Sequence, residues 1–344
     1  MTSQRGSWRV LLGDLIVLQP AQGTRRVGTR AAITMGTALL ILAGAGRLDW
    51  SIYATFGAFA SIYGGSRPRP QRWRTQAGLG ALLTAAVGCG ALTATSDQRR
   101  WIAIGVTAIW ATVGAVLSDR YSWRPPGPIF VVFAVATCAA IPTQPAGVAA
   151  AIAVAAGTAA FAVTLGAVEA RWLPGSTWGL PPPVLPPAPR HRQRIHAVRC
   201  AVAVAVAGLI ATTAGISHPY WAMIAAVVPL VARTFRAQLV RGLQRTVGTA
   251  LGLVAAGILL LLPMPTVLTI VVIAGLQACA ELLVVRNYGL ALVAITPLAL
   301  LAMQLANPEP VGALLVDRLV ETVIGVVVGV LTAVATRDRT VPFV

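Results

Sequence analysis

The sequence has no lysine, only ten acidic residues, three histidines and four cysteines in 344 positions. Each shortage excludes something. Cys89, Cys138, Cys200 and Cys279 lie far apart within apolar runs, at no metal-like spacing, so neither a disulfide framework nor a thiolate metal site is expected. His191, His196 and His218 are too scattered to build a metal centre. Walker-type loops, HExxH, GxSxG and DDxxD-type acid clusters are all missing. Catalytic residues, cofactors and metals are therefore not expected, and the chain does not read as an enzyme. Charged residues make up 11% of the chain against 57% hydrophobic. That balance belongs to a protein that crosses a membrane many times rather than to a soluble fold.

Apolar runs of about 17 to 25 residues, the length that spans a bilayer, recur along the chain. Between charged or proline-rich breaks they predict six spans in each half. The first six cover roughly 28–46, 50–65, 74–95, 100–118, 127–142 and 146–169. The second six cover 197–216, 219–232, 245–262, 266–285, 288–305 and 311–335. Spans 2 and 8 are short enough that a tilted, broken or re-entrant helix is an open alternative to full crossing.

The halves echo each other. Trp50 and Trp221 lie 171 positions apart, as do Arg74 and Arg245, and Thr75 and Thr246. The expectation is an all-α polytopic membrane protein with about 12 transmembrane helices arranged as two parallel six-helix repeats. Its divisions are an N-terminal segment (1–27), a first membrane repeat (28–170), a proline-rich linker (171–195), a second membrane repeat (196–336) and a tail (337–344). A short interfacial helix rather than a signal peptide is expected from Ser7 to Leu18.

Net charge is +17, carried entirely by arginine among the bases. In a soluble protein this would suggest nucleic acid, but here the arginines sort by loop. With the N-terminus inside, the cytoplasmic side collects all 27 except Arg47, Arg99, Arg100 and Arg318. This is the positive-inside pattern, and it predicts an inner-membrane, multi-pass protein with both termini cytoplasmic and no nucleic-acid partner. Membrane lipids and a small organic anion or lipid substrate are the expected partners; a homo-oligomer is left open.

Chemistry concentrates in the last span, where GALLVDRLVETVIGVVVGVL places Asp317, Arg318 and Glu321 among apolar residues. Asp317 and Glu321 are one turn apart on a helix, and Arg318 can meet Glu321 at three residues' spacing. Intramembrane charges are expensive and commonly functional, which suggests proton coupling. The alternative is a structural ion pair near the span's end. Arg74 and Arg245 open spans 3 and 9, each followed by small residues, and could hold an anion; the alternative is interfacial snorkelling. Glu281 either meets basic loops or lines an entrance. Trp50, Tyr220 and Trp221 read as an interfacial aromatic belt, His218 as a loop residue, and Tyr53, Phe56 and Met223 as core or ligand lining.

The succession SHPYWAMIAAVVPLV from Ser217, GLQRTVGTALGLV from Gly242, ELLVVRNYGLALVAITPLALL from Glu281 and DRLVETVIGVVVGV from Asp317 resembles the fusaric-acid-resistance and aromatic-acid-exporter family (FUSC-like). The likeness covers about 197–335; in the first half only Trp50, Arg74 and Tyr121 stand in comparable places. It implies a proton-driven exporter of organic anions, often aromatic carboxylates, distantly like plant malate-type channels in which two six-span units form the pore. The positions it carries over are Arg245, Asn287, Tyr288, Arg318 and Glu321, with Arg74 by repeat symmetry. Many members hold a sizeable cytoplasmic domain between halves, which this linker is too short to be. A lipid or lipid-phosphate carrier (flippase) and a non-transporting envelope scaffold stand as the other readings.

Overall fold

The computed structural model describes residues 13–20, 24–64, 69–172 and 189–337. Most of the proline-rich linker, the first twelve residues and the last seven lie outside the described residues. Within them the chain is all-helical, with no strand. After a helical turn at 13–16 come α1 (Thr24–Gly44), α2 (Ser51–Ala58), α3 (Arg69–Thr93), α4 (Arg99–Tyr121), α5 (Ile129–Ala140) and α6 (Pro145–Trp172). Then follow α7 (Arg190–Thr213), α8 (Tyr220–Leu230), α9 (Phe235–Leu261), α10 (Thr266–Val284), α11 (Tyr288–Ala306) and α12 (Val311–Ala335).

Eight of these, α1, α3, α4, α6, α7, α9, α10 and α11, are long and apolar enough to cross a membrane. The protein is a multi-pass membrane protein. Several helices begin well before their apolar runs: α9 starts at Phe235, α7 at Arg190 and α3 at Arg69. Arginine and glutamine are good helix formers, so a polar first turn continues the helix that a hydropathy reading cuts short. The fifth expected span shrinks in the opposite direction, to the 12 residues of Ile129–Ala140.

The short helices α2 and α8 occupy the interior. All eight residues of α2 and all eleven of α8 are buried, as a helix apolar on every side requires. At 1.5 Å per residue α2 is about 12 Å long and cannot cross a bilayer alone. A 3-10 segment (Phe59–Ile62) extends it, also fully buried. Around them, α2 packs on α6 and α8 on α12; α3 packs on α5 and α6, and α9 on α11 and α12; α1 lies on α10 and α4 on α7.

Small residues set the closest approaches. A methyl added at Gly325 or Gly329 of α12 would collide with the carbonyl oxygens of Ala222 and Ala226 in α8. Backbones in contact at that distance need glycine, as in other small-xxx-small helix pairs. At Gly252 of α9 an added methyl would come within 2.7 Å of the Leu292 carbonyl oxygen in α11. An aromatic cluster of Phe56, Phe59, Tyr63, Phe130 and Phe133 fills the space between α2 and α5, so Phe56 is core packing.

Candidate functional site

Because α12 and α8 touch through glycine, the side chains just N-terminal to the contact on α12 are driven into the α8 surface. Arg318 is 1% exposed, and its guanidinium carbon sits 3.3 Å from the centroid of the Trp221 ring. A desolvated guanidinium stacked on indole is a favourable cation–π contact. Its Nε and Nη1 nonetheless have no hydrogen-bond partner. Glu321, one turn along α12, is fully buried, and neither carboxylate oxygen accepts a hydrogen bond. Among the described residues these two make no ion pair with each other or with any other group. Thr322 beside them returns its hydroxyl to the Arg318 carbonyl at 2.8 Å.

A second buried cation stands nearby. Arg245 of α9 is 4% exposed and donates from Nη1 to the Tyr288 hydroxyl at 3.3 Å. Its Nε and Nη2 are buried without partners. Arg245, Glu321, Tyr220 and Tyr288 all lie close enough to Arg318 to act on its charge. Unpaired buried charge is costly, so two under-satisfied arginines and an unbonded carboxyl in one region make this the candidate site.

Next to Tyr288 a cavity of about 290 Å³ is bordered by Arg241, Gln244, Arg286 and Asn287. Arg241 lies over the Tyr288 ring, 5.0 Å from its centroid. Asn287 caps α11, its side-chain oxygen accepting from the Leu290 amide at 3.0 Å, while its Nδ2 donates to the Leu15 carbonyl at 2.7 Å. The 13–20 segment thus runs across the cavity mouth. It is held there also by Arg236 with Asp14, and by the Gln19 amide on the Arg286 carbonyl.

Four of the sequence candidates, Arg245, Tyr288, Arg318 and Glu321, come together, with Asn287 adjoining through the cavity and Asp317 half-buried one turn before Glu321. Arg74 does not join them. It is exposed on α3, its guanidinium carbon 5.6 Å from the Trp73 ring centroid. The buried arginine of that stretch is Arg72, at 1% exposure.

Two residues carry more than the sequence suggested. Trp221 is 2% exposed and supplies the face for Arg318 rather than an interfacial belt. His218 is buried between acids, its Nε2 3.1 Å from Glu309 and its Nδ1 3.9 Å from Asp317. The motif Ser-His-Pro-Tyr-Trp directly before an apolar run was the available signal for both.

Residues 204–332 match the family described as fusaric acid resistance protein-like. Every residue of the cluster falls inside that match. A curated relative, the uncharacterized membrane protein YvaC of Bacillus subtilis (strain 168), is 30% identical over 131 residues, 38% of this chain. The aligned stretch covers 21% of that relative's length. No solved structure matches the chain.

Proposed function

We propose that the protein is an inner-membrane transporter that exports an amphipathic organic anion, with aromatic carboxylates as the leading substrate class, in exchange for protons. Both termini are cytoplasmic in this reading. The two halves, 28–170 and 196–336, act as parallel six-helix repeats, joined by the linker at 171–195 and flanked by cytoplasmic segments 1–27 and 337–344. The pairings of α1 with α10 and α4 with α7, and of α3 with α5 and α9 with α11, support this arrangement, because each pair maps onto the other by a shift of six helices.

The observation that carries the reading is that Arg318 lies close to both Arg245 and the carboxyl of Glu321, while both arginines keep buried nitrogens, and Glu321 both oxygens, without hydrogen-bond partners. An anion entering past Arg241 and Arg286 meets a positive field that raises its local concentration. The free Nε and Nη2 of Arg245 offer a planar fork that matches a carboxylate. Tyr288 orients that fork, and the aromatic wall of Trp221 and Tyr220 suits a ring. The anion is carried outward while Glu321 is ionised, and once the anion has left Glu321 takes up a proton and carries it inward on the return of the empty site. That alternation couples the two movements in opposite directions.

The test is uptake of radiolabelled benzoate into inverted vesicles with an acidic interior. Gradient-dependent uptake that disappears in Glu321→Gln and Arg245→Ala supports coupled export. Uptake indifferent to the gradient makes the protein a channel. No uptake by native protein, with lipid copurifying, moves the assignment to a lipid or lipid-phosphate carrier; no uptake and no effect of either substitution leaves a scaffold.

A further inference from the structure

A polar chain leads toward Glu321 from solvent. It starts at Glu309, in the turn between α11 and α12, where the side chain is 31% exposed. Its position is fixed: the Gln304 amide nitrogen donates to the Glu309 carbonyl at 2.7 Å, the Glu309 amide donates back to Gln304 at 2.6 Å, and Asn307 donates to its carboxylate at 3.2 Å. From there the path goes to His218 Nε2 at 3.1 Å, and from His218 Nδ1 to Asp317 Oδ2 at 3.9 Å. Glu321 lies one helical turn beyond Asp317.

Along this path the side-chain exposure is 31% at Glu309, 11% at His218, 27% at Asp317 and 0% at Glu321, so the inner end is sealed from solvent. The Nδ1 of His218 is buried and has no hydrogen-bond partner. A histidine serving only to fix the chain would bond through both nitrogens; this one bonds an acid at the open end and leaves the other nitrogen aimed inward. Pro219 follows it directly and caps the buried α8, so the ring cannot withdraw into solvent without moving that helix. Tyr220 packs edge-on against it, ring centroids 5.7 Å apart. The remaining charged groups around it are Arg318 on α12, and Arg99 and Arg100 of α4, which share a small cavity with Ser217 and Pro219.

We infer that His218 relays protons between the solvent at the α11–α12 turn and Glu321, with Glu309 as the receiving group and Asp317 as the intermediate. Imidazole can do this without net change. It takes a proton on Nε2 from Glu309 or water, and gives up the one on Nδ1 to Asp317. Asp317 hands it one turn along to Glu321, and a ring flip or tautomer exchange resets His218. The proposal rests on the proton-coupled reading, in which Glu321 must be loaded from the side opposite to the arginine-rich loops. The 3.9 Å separation is closed by a side-chain rotation or one bridging water, either of which a hydrogen-bonded path accommodates.

The experiment separates the relay from transport. Full-length protein in nanodiscs is transferred into heavy water, and the protonated carbonyl band of Glu321, assigned by its loss in Glu321→Gln, is followed by time-resolved infrared spectroscopy. His218→Gln keeps the ring's hydrogen-bonding size but cannot titrate, and should slow deuteration of that band by about tenfold or more, as loss of a positioned proton-transfer group does. Glu309→Gln should slow it less, since water can replace it at the mouth. Added imidazole should restore the rate in His218→Gly. Exchange in His218→Gln within about twofold of native would overturn the relay, as would the lack of any protonated Glu321 band across the accessible pH range. Benzoate uptake by native vesicles is run in parallel. Its absence would sink the exporter reading while leaving the exchange result to judge the relay.

Discussion

Arg318 stacks on Trp221 with 3.3 Å between its guanidinium carbon and the ring centroid, although Glu321 is available one turn away on the same helix. The side chain has taken the aromatic face in place of the acid. An arginine ion-paired to Glu321 would neutralise both groups and leave nothing for a ligand to find. Stacking holds the cation in place without using the hydrogen bonds of Nε and Nη1, which remain open.

Removing the face should therefore cost more than removing the charge. Trp221→Leu deletes the cation–π contact, worth about 2 kcal/mol when desolvated, and leaves a cavity of the kind that costs about 3–5 kcal/mol for a large aromatic. Trp221→Phe keeps a ring and should lose far less. In Trp221→Leu with Arg318→Met the unpaired buried charge is gone, so the unfolding temperature should recover the part of its fall that came from the charge, the cavity's share remaining, with no benzoate transport. Thermal unfolding in detergent read beside vesicle uptake checks both halves of the expectation.

The α8–α12 contact makes its own demand. Gly325→Leu must push α12 away from the Ala222 carbonyl, and overpacking of this sort costs about 1–3 kcal/mol. Gly312→Ala, on the same helix with nothing within 4 Å, is the matched control and should be neutral or slightly stabilising. Equal unfolding temperatures for the two variants would show that the close approach is not needed.

A buried ion pair ties α1 to α6. Arg30 donates from Nη1 to Glu169 at 2.5 Å, and from Nε and Nη2 to the Ser61 carbonyl at 3.0 and 2.7 Å. Arg30→Met strands Glu169 and leaves the Ser61 carbonyl only its 3.4 Å bond from Gln76, so a loss of about 3–5 kcal/mol is expected. Glu169→Gln keeps an acceptor and should cost less. The double variant should fall short of the summed losses, and a cycle built from chemical denaturation gives the coupling directly.

Most of the helix content was legible in the sequence, because apolar length is a strong signal and the charges at Asp317, Arg318 and Glu321 stand out against it. The role of α2 and α8 was half legible: their brevity showed, their burial did not, since hydropathy cannot tell lipid from protein around an apolar helix. Arg74 and Arg245 share a spacing but not an environment, the first exposed and the second buried. Gln76 donates to the Tyr63 carbonyl at 3.1 Å in the break after α2, and Gln238 to the Ala232 carbonyl at 2.9 Å in the break after α8. His218 lies in the loop as expected, though buried there, and Trp221 was misjudged because a residue near a span's end looks interfacial unless the helix it begins is known to be interior.

Acid should act at one surface site in a definite direction. The Asp49 carboxyl lies below its ordinary value of 3.8 because Arg47 donates to it at 3.1 and 2.9 Å. A depressed native value stabilises above the unfolded value and loses that stabilisation as pH falls through the native one. The side chain is 55% exposed, so the effect on stability is small and screened by salt. Arg47→Gln should raise the Asp49 midpoint back toward 3.8 by NMR titration, and should also free Trp50, on whose ring Arg47 rests at 3.4 Å.

Arg245 and Tyr288 offer the sharpest distinction between a binding site and a structural contact. Tyr288→Phe removes only the hydroxyl that accepts from Nη1 of Arg245, leaving the cation with every nitrogen unbonded and free to turn. If Arg245 holds the anion, losing that orientation weakens binding of ground state and passage alike, so KM for benzoate should rise about tenfold, the worth of one charge-assisted hydrogen bond. Arg245→Lys keeps charge but loses the planar fork, and should raise KM further for a carboxylate than for a single-point anion such as chloride. A structural role would instead lower the unfolding temperature in both variants with KM unchanged among the molecules that remain folded. Equal selectivity of native and Arg245→Lys protein between benzoate and chloride would remove Arg245 from the site.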